Sequence, residues 1–401
     1  MAEPIQLVLG GDKATLELYG RVQLTAEAIK VARTYADWDT EANGLPTIDP
    51  VTHRVIDQPG VDKTRLRNNR SVIGFRGDIK IDDDLRGVWQ VESSAAADGG
   101  GGLHVPSQTW ANRDSGVGLD SKKYGRVILG SWQTPYTHST FGYDPFYTNT
   151  GAYMGIMGNG SGASMTPNSD PVTFDRREHN MIQYWSPDMN GFKVRVGFDF
   201  NDQKTPDAPA VTFPGGQSSA GGTASTARDP YLMSFEGTYE KGPLNITTGY
   251  ELHHNFQDAT GSDTGMKVGA AYNFGQTRVA GVVQRLHYHT AGGDLNQNQA
   301  YVSVVHKLTA KDLLKLSYAR GGEVTGTKYI NIGYLMVGPE SASSILSVGA
   351  EHQFNSNFAV FGYYSKTFNE TNAFMDFPLN DMAPAMGVSP SLLAVGFRIT
   401  F

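Results

Sequence analysis

The stretch from Ser391 to Phe401 reads SLLAVGFRITF, and from Leu393 onward every second side chain is large and apolar. The residues between them are Ala, Gly, Arg and Thr. Because successive side chains of a β-strand point to opposite faces, this stretch predicts a strand with one wholly apolar face and one small or polar face. The same period of two recurs at 16–25, 193–200, 231–239 and 266–274. The pattern predicts a β protein throughout.

Two architectures use this alternation. A soluble β-sandwich turns the apolar face into its core, whereas an outer-membrane barrel turns it towards lipid. Three features favour the barrel: segments of about ten or more residues instead of the usual ~5 to 6, aromatic residues at strand ends, and short polar turns that alternate with long loops. The long loops are rich in Gly, Pro, Asn and Ser and lie near 33–64, 96–108, 135–175, 202–228, 321–343 and 369–390.

The pattern contains seventeen candidate strands, but a single-chain bacterial barrel requires an even number. The weakest candidate, 329–337, is interrupted by Gly338-Pro339 and is assigned to a loop. We therefore predict an all-β fold: one sixteen-stranded antiparallel transmembrane β-barrel that makes a single domain of residues 1–401. Sixteen strands enclose an aqueous channel. The strands are expected at 14–32, 65–82, 85–95, 109–120, 125–134, 176–186, 191–201, 229–240, 243–256, 265–274, 277–289, 298–308, 312–320, 344–354, 358–368 and 391–401.

Composition argues against several other classes of protein. The net charge of −7 leaves no basic excess to neutralise phosphates, so no nucleic-acid partner is expected. The chain has no Cys, which excludes disulfides and thiol chemistry. His287 and His289 would share a strand face, but no third ligand accompanies them, so neither a metal nor another cofactor is expected. No nucleophile pattern such as Gly-x-Ser-x-Gly occurs, and no enzymatic activity is expected.

Several motifs resemble, in order and spacing, the trimeric general-diffusion porins of Gram-negative outer membranes. They are LYGRV at 18–22, SVIGFRG at 71–77, LRGVWQVES at 85–93, YGRVILG at 124–130 and FDRREHN at 174–180, followed by the terminal Phe401. The matches concentrate before residue 200. The resemblance implies a homotrimer in the outer membrane, with its signal peptide already removed, that lets ions and small hydrophilic solutes diffuse passively. It also implies that the strand with Phe397, Ile399 and Phe401 is a signal for the barrel-assembly machinery.

The resemblance further implies that the third external loop, 135–175, folds inward as a constriction. In this family basic side chains on the wall face acidic groups on that loop. The wall candidates, from strand period and motif match, are Arg21, Arg70, Arg113 and Arg177. The loop candidates are Asp144, Asp170, Asp175, Tyr147 and Tyr153.

Two positions depart from the family pattern. Val72 stands where the family usually carries Arg, and Ser131 stands where an Arg often follows Leu-Gly. The loop is also poor in acidic residues and rich in aromatic ones. We expect a weakly polarised constriction that favours anions, because four wall arginines face few acids. The alternative is a substrate-selective channel for a sugar, a carboxylate or an aromatic solute, with saturable sites among the loop tyrosines.

The remaining expectations concern partners. Outer-membrane lipid surrounds such a barrel, and Arg65 and Arg67 are candidates for contact with lipopolysaccharide phosphates, although ordinary rim charges are the simpler interpretation. Loop 96–108 is expected to reach a neighbouring subunit, as it does in the family. Small residues on the outer face would let neighbouring barrels approach, and the candidates are Gly20, Ala26, Ala28, Gly87, Gly116 and Gly118.

Overall fold

The computed structural model describes residues 5–9, 13–35, 57–98, 110–159, 173–199, 212–213, 217–218, 230–256, 261–328, 330–378, 382 and 384–401. Sixteen antiparallel strands in these ranges form a closed barrel, as the sequence predicts. Each strand pairs with its neighbour in the chain, and the last pairs with the first.

The barrel strands are numbered in chain order. They are β1 (Ala14–Tyr35), β2 (Asp57–Asn68 and Val72–Lys80), β3 (Leu85–Ser94), β4 (Ser115–Ser121), β5 (Gly125–Gln133), β6 (Arg177–Trp185), β7 (Phe192–Asp199), β8 (Tyr231–Lys241), β9 (Leu244–His254), β10 (Ser262–Phe274), β11 (Thr277–Thr290), β12 (Gly293–Lys307), β13 (Asp312–Gly321), β14 (Ser343–Gln353), β15 (Phe358–Asn369) and β16 (Ser391–Thr400). One short helix, α1 (Pro135–Phe141), follows β5.

The seam between β1 and β16 closes the barrel. The register runs from Arg21 opposite Thr400 to Lys30 opposite Ser391. At the end of the seam beside Phe401, the Gly20 amide donates to the Phe401 carbonyl at 2.8 Å, and the Phe401 amide donates to the Gly20 carbonyl at 3.0 Å. A short strand, Ile5–Leu9, which the sequence pattern did not reveal, pairs with the beginning of β1.

The apolar faces of the strands point outward. Val117, Val268 and Leu393 are 62%, 54% and 57% exposed, whereas the side chains that alternate with such positions are largely buried inside the barrel. The side chains of Tyr124 and Phe274 are exposed beside the short turns, where an interfacial aromatic girdle belongs. Among the described residues, no helix has the length and hydropathy required to cross a membrane.

Several strand boundaries differ from those expected. The described residues 330–337 do lie outside the barrel sheet, in a small hairpin of Asn331–Ile332 and Leu335–Met336. Strand β12, however, begins at Gly293 rather than 298, because the register with β11 continues to Thr290 opposite Gly293. The turn between the two strands is only Ala291-Gly292, although the sequence pattern predicts a loop over 290–297.

The outward placement predicted for two glycines was wrong. Val117 and Leu119 occupy the exposed outer face of β4, so Gly116 and Gly118 lie on the inner face. Ala26 and Ala28 are exposed on the outer face of β1, as expected.

Candidate functional site

The chain between β5 and residue 159 packs against inward-facing side chains of the barrel; we call residues 134–159 the crossing segment. It begins with α1, where the Thr134 hydroxyl accepts a hydrogen bond from the Thr137 amide at 3.2 Å and Pro135 occupies the first turn. Both features are ordinary helix-start signals. The helix buries Tyr136 completely.

Polar side chains from one side of the barrel hold the crossing segment. We call the inner face of β8 to β15 the fastened wall. Five of its hydrogen bonds to the segment show the pattern. Ser234 Oγ accepts from the Tyr136 amide at 2.8 Å, Lys267 Nζ donates to Thr140 Oγ1 at 2.9 Å, Ser303 Oγ donates to the Tyr143 carbonyl at 2.7 Å, Gln299 Nε2 donates to the Ile156 carbonyl at 2.9 Å, and Ser347 Oγ donates to the Gly151 carbonyl at 2.6 Å. Through these bonds, buried polar groups of the segment and of the wall find their hydrogen-bond partners in each other.

At Gly151 the backbone of the crossing segment lies directly against the fastened wall. A Cβ atom built on this glycine would overlap Ser365 Oγ and would lie 2.8 Å from Ser347 Oγ. Only glycine therefore lets the segment pass this wall without displacement.

The acidic residues predicted for the loop take part in this fastening. Asp144, which is 6% exposed, accepts hydrogen bonds from the Phe146 amide at 2.9 Å, the Tyr153 amide at 2.8 Å and Tyr301 Oη at 3.1 Å. Burial raises the pKa of the Asp144 carboxyl to about 6, although the amide hydrogen bonds act in the opposite direction.

Asp175 lies immediately before β6 and faces Lys267 Nζ at 3.4 Å, with both side chains fully buried. Lys267 Nζ also lies 3.8 Å from the centroid of the Tyr136 ring. Burial raises the pKa of the Asp175 carboxyl, against the effect of Lys267. These two acids therefore face the packed interior of the segment. Asp170 lies outside the described residues.

The other side of the interior is dominated by charged side chains; we call the inner face of β16 and β1 to β7 the charged wall. It brings the four predicted arginines together. Arg21 has Arg113 and Arg70 among its electrostatic neighbours, and Arg70 has Arg113 and Arg177. Arg398 on β16 is a further neighbour of Arg21, and it is not among the predicted wall residues. Its inward position follows from the polar face of 391–401.

Arg70 lies in the break that divides β2. Its φ of 55° is left-handed, which is unfavourable for a residue with a side chain, and neighbouring bonds hold it there. Asn69 Nδ2 donates to Thr25 Oγ1 at 2.6 Å, and Ser71 Oγ accepts from the Gln23 amide at 2.8 Å. The break thus turns the Arg70 side chain away from the regular alternation of β2.

From this break Arg70 reaches the crossing segment. Its Nη1 donates to the Tyr147 carbonyl at 3.1 Å, and its guanidinium lies 4.9 Å from the centroid of the Tyr147 ring. Arg21 Nη2 donates in turn to the Arg70 carbonyl at 2.6 Å. Of the two predicted tyrosines, Tyr147 is half-buried beside the arginines, whereas Tyr153 is 1% exposed and packs on Tyr301 at 5.0 Å.

Acidic partners on the same wall balance part of this charge. Arg113 Nε donates to Glu92 at 2.6 Å, and Arg177 Nε donates to Asp114 at 2.7 Å. Four arginines less two carboxylates leave a net charge of +2 in this group. The acids predicted to face these arginines lie only on the loop, although the strand period also places Glu92 on the inner face of β3.

The charged wall continues towards the short turns as a ladder of ion pairs. Each pair joins inward-facing residues, and the pairs within this wall are Arg76–Glu17, Arg86–Asp78 and Arg126–Asp120. At the edge of the wall, Arg398 of β16 pairs with Glu351 of β14. Open cavities of about 380 and 330 Å³ lie along this ladder. The fastened wall instead buries its inward side chains against the segment, and these include the charged residues Lys267 and Glu236.

Arg65 does not face the lipid, contrary to one interpretation of the sequence. Its Nε donates to Glu27 at 2.9 Å, and the Glu27 carboxylate is fully buried. Loop 96–108 lies mostly outside the described residues. At the barrel seam, Phe397 and Ile399 are 57% and 47% exposed on the outer face of β16.

Comparisons with known proteins agree with this architecture. A family model described as Gram-negative porin matches residues 1–372. The outer membrane porin protein 32 of Delftia acidovorans is 25% identical over 252 residues, which are 62% of this chain and 64% of that protein. The major outer membrane protein P.IA of Neisseria meningitidis is 26% identical over 46% of this chain and 42% of its own length. The matched region thus spans less than two thirds of either relative.

Two solved structures share the fold. An anion-selective porin from Comamonas acidovorans superposes with a TM-score of 0.71 at 19% identity, covering 97% of this chain and 100% of the other. Outer-membrane expressed OmpT of Vibrio cholerae superposes with a TM-score of 0.62 at 13% identity, covering 98% and 100%.

Proposed function

The chain belongs to the family of Gram-negative porins, and we propose that its barrel is a water-filled channel for passive diffusion of ions and small hydrophilic solutes. It is a β-barrel protein of the outer membrane. Porins are channels rather than enzymes, and we propose no catalytic role for this one. The observation that carries the proposal is the inversion of the barrel: apolar side chains face outward, and a ladder of charged side chains lines one inner wall.

We propose that the crossing segment narrows the channel. The hydrogen bonds to the fastened wall support this, because they hold the segment inside the barrel. The segment also bonds Gln23 and Glu27 of β1, so the part of the charged wall that is left for water is the ion-pair ladder beside the open cavities. The narrowest passage would lie where Arg70 meets Tyr147, with Arg21, Arg113 and Arg177 beside it. Asp144 and Asp175 would act by holding the segment and not by facing the solute.

We propose that the passage favours anions. The four arginines keep a net charge of +2 after pairing, and the nearby loop acids are buried. A narrow water path in a low-dielectric wall strengthens the effect of each such charge on a passing ion. A further support is the solved porin with the same fold that is described as anion-selective.

The alternative, a channel with saturable sites among the loop tyrosines, has less support. Tyr136 and Tyr153 are 0% and 1% exposed and are occupied in holding the segment, so a solute would not reach them. Of the tyrosines predicted for the constriction, Tyr147 remains half-buried beside the arginines.

The proposed partners follow from the family. Porins are generally trimeric, and we propose a homotrimer for this chain in outer-membrane lipid that includes lipopolysaccharide. We also propose that the strand with Phe397, Ile399 and Phe401 is the signal for the barrel-assembly machinery. Deleting Phe401 should lower the yield of assembled trimer, because its backbone closes the seam with Gly20; an unchanged yield would contradict that role.

Single-channel recording in a planar bilayer tests the proposed function. In a salt gradient the reversal potential should have the sign of an anion preference, and most neutral solutes should cause no concentration-dependent block. A strong cation preference would contradict the proposed selectivity but not the channel. Saturable block by one solute class would favour the alternative, and an absence of conductance in correctly folded protein would overturn the channel itself.

A further inference from the structure

The outer face of β11 to β13 carries polar side chains in a surface that is otherwise apolar. Arg285, Asn298 and Arg320 alternate with buried inward-facing residues and are exposed on the outside of the barrel. On β9 and β10 the neighbouring outward positions are occupied by Tyr250 and Met266. Charged side chains on the outer face of a membrane barrel are unfavourable unless they lie near the interface.

The strand register places the two arginines close together. Arg285 pairs with Asn298 on β12, and Arg320 pairs with Ala300, the next outward residue on the same strand. Their Cα atoms are separated by two strand spacings and one two-residue step, roughly 10 to 12 Å. Two long side chains can therefore reach the same ligand from both sides of β12.

The arginines border a groove on the outer surface. The groove has a volume of about 670 Å³, and its apolar lining includes Met266, Val268 and Val283. These three side chains are 49%, 54% and 62% exposed. The small side chain of Ala300 deepens the groove between them and Arg320. A charged rim beside an exposed apolar floor suits a ligand with an anionic head and a hydrocarbon tail.

The groove lies towards the end of the barrel that carries the long connections. Arg285 is five positions before the end of β11, and Arg320 is one position before the end of β13. In outer-membrane barrels the long connections are extracellular, so the arginines would lie at the level of the outer-leaflet headgroups. The short turns, with their exposed Phe274 and Tyr124, lie at the opposite end.

Neither arginine is strongly neutralised by the protein. Arg285 Nη2 donates to Asn296 Oδ1 at 3.4 Å, and among the described residues no carboxylate lies within ion-pair distance of it. Arg320 Nη2 lies 3.5 Å from Glu370 Oε1, and both side chains of that pair are about half exposed. An exposed ion pair of this length contributes little. Both guanidinium groups thus retain donors for a stronger acceptor.

We propose that this groove binds a phosphorylated glycolipid of the outer leaflet, with Arg285 and Arg320 on its phosphates and an acyl chain along Met266, Val268 and Val283. Guanidinium groups bind phosphate through two parallel hydrogen bonds, which favours a phosphorylated lipid head over an uncharged one. Asn298 lies between the arginines and offers further polar contacts. The inference rests on the proposed function only in requiring an outer-membrane environment.

Native mass spectrometry of the detergent-solubilised protein with added lipid A tests this assignment. Diphosphoryl lipid A should bind to the wild type, and the double variant R285Q/R320Q should bind it more weakly, by about tenfold for each arginine that is replaced. The matched control is K241Q/K366Q, which removes the same charge from the barrel exterior outside the groove and should bind normally. Lipid A without phosphates should bind as weakly to the wild type as diphosphoryl lipid A binds to R285Q/R320Q.

Four outcomes would overturn the assignment. Three of them concern binding: no lipid A bound to the wild type, equal binding by R285Q/R320Q, and equal binding of lipid A without phosphates. The fourth is an oligomeric state that changes only in R285Q/R320Q, which would make the groove a contact between copies. In addition, inorganic phosphate at the same concentration should not compete, and full competition would overturn the lipid site in favour of a free-anion site. Conductance and reversal potential should be unchanged in R285Q/R320Q, so failure of the lipid site and failure of the channel are distinguishable.

Discussion

The two inner walls of this barrel arise from the same alternation of side chains but differ in exposure. The crossing segment covers the fastened wall, whereas part of the charged wall borders open cavities. On the fastened wall the inward side chains are buried against the crossing segment, and the charged pair Lys267–Asp175 has no exposed surface. On the charged wall the pair Arg76–Glu17 is 50% and 16% exposed and borders an open cavity. An inward position therefore does not by itself define a channel lining. Whether another segment covers that position decides its role.

The largest expected difference between the walls concerns stability. Lys267→Met leaves the Asp175 carboxylate buried without its partner, which should lower the free energy of unfolding by about 3 to 5 kcal/mol. Arg76→Met removes a charge from a pair on the charged wall and should cost about 1 kcal/mol or less. Urea unfolding in lipid vesicles, followed by tryptophan fluorescence, measures both.

The double variant K267M/D175N is the control for this comparison. It removes both buried charges and should recover most of the loss, because the cost of a single change comes from the orphaned charge. Equal losses for Lys267→Met and Arg76→Met would show that the two walls do not differ in the way described.

The second prediction uses the close approach at Gly151. Gly151→Ala places a methyl group against Ser365 and Ser347 and should push the crossing segment towards the charged wall. Overpacking of this kind costs about 1 to 3 kcal/mol. Single-channel conductance should fall as the water path narrows. The matched control is Gly142→Ala, an exposed position with φ of −72° and no atom within 4 Å of the added carbon, where conductance should not change.

The difference between the walls also marks what the sequence can predict. The period of two and the family motifs led to sixteen strands and to Arg21, Arg113 and Arg177 on one wall, because facing is a local property of each strand. The partner of Lys267 is 92 residues away, and nothing in the period distinguishes a covered inward position from an open one. The strand period also predicts Arg70 on this wall, but a left-handed break and not regular alternation directs its side chain there.

Acidity should affect the contact between the crossing segment and the fastened wall through Asp144, which accepts a hydrogen bond from Tyr301 of that wall. Burial raises the pKa of this carboxyl to about 6, so the folded state takes up a proton that the unfolded chain does not bind until pH falls to its ordinary value near 3.8. The stabilisation is therefore present at low pH and is lost as pH rises through 6. Between pH 7 and pH 5 the gain should be on the order of 1 kcal/mol.

Hydrogen exchange of the segment amides checks this expectation. The Phe146 and Tyr153 amides donate to Asp144 and should exchange more slowly at pH 5 than at pH 7, after correction for the intrinsic rate. Asp144→Asn removes the ionisation, so the corrected rates should then be the same at both pH values. A wild type without this pH dependence, or a variant that keeps it, would contradict the assignment to Asp144.

The smallest expected free-energy change is the one most closely tied to function. Arg21→Gln removes one charge from the group beside Tyr147. At roughly 6 Å through water, a unit charge changes the energy of a passing ion by about 0.7 kcal/mol, with opposite signs for an anion and a cation. The two changes add in the ratio of anion to cation permeability, which should therefore fall by about tenfold. Reversal potentials in a salt gradient measure that ratio.

A charge change on the fastened wall should leave the permeability ratio unchanged. K267M/D175N removes two opposite charges that are fully buried beneath the crossing segment, so the permeability ratio should stay at its wild-type value. If this variant shifted selectivity as much as Arg21→Gln, ions would have to sense the covered wall, and the segment would not separate the two halves of the interior. An unchanged ratio in both variants would instead move the selective region away from Arg21. Only a shift confined to Arg21→Gln fits a single water path along the charged wall.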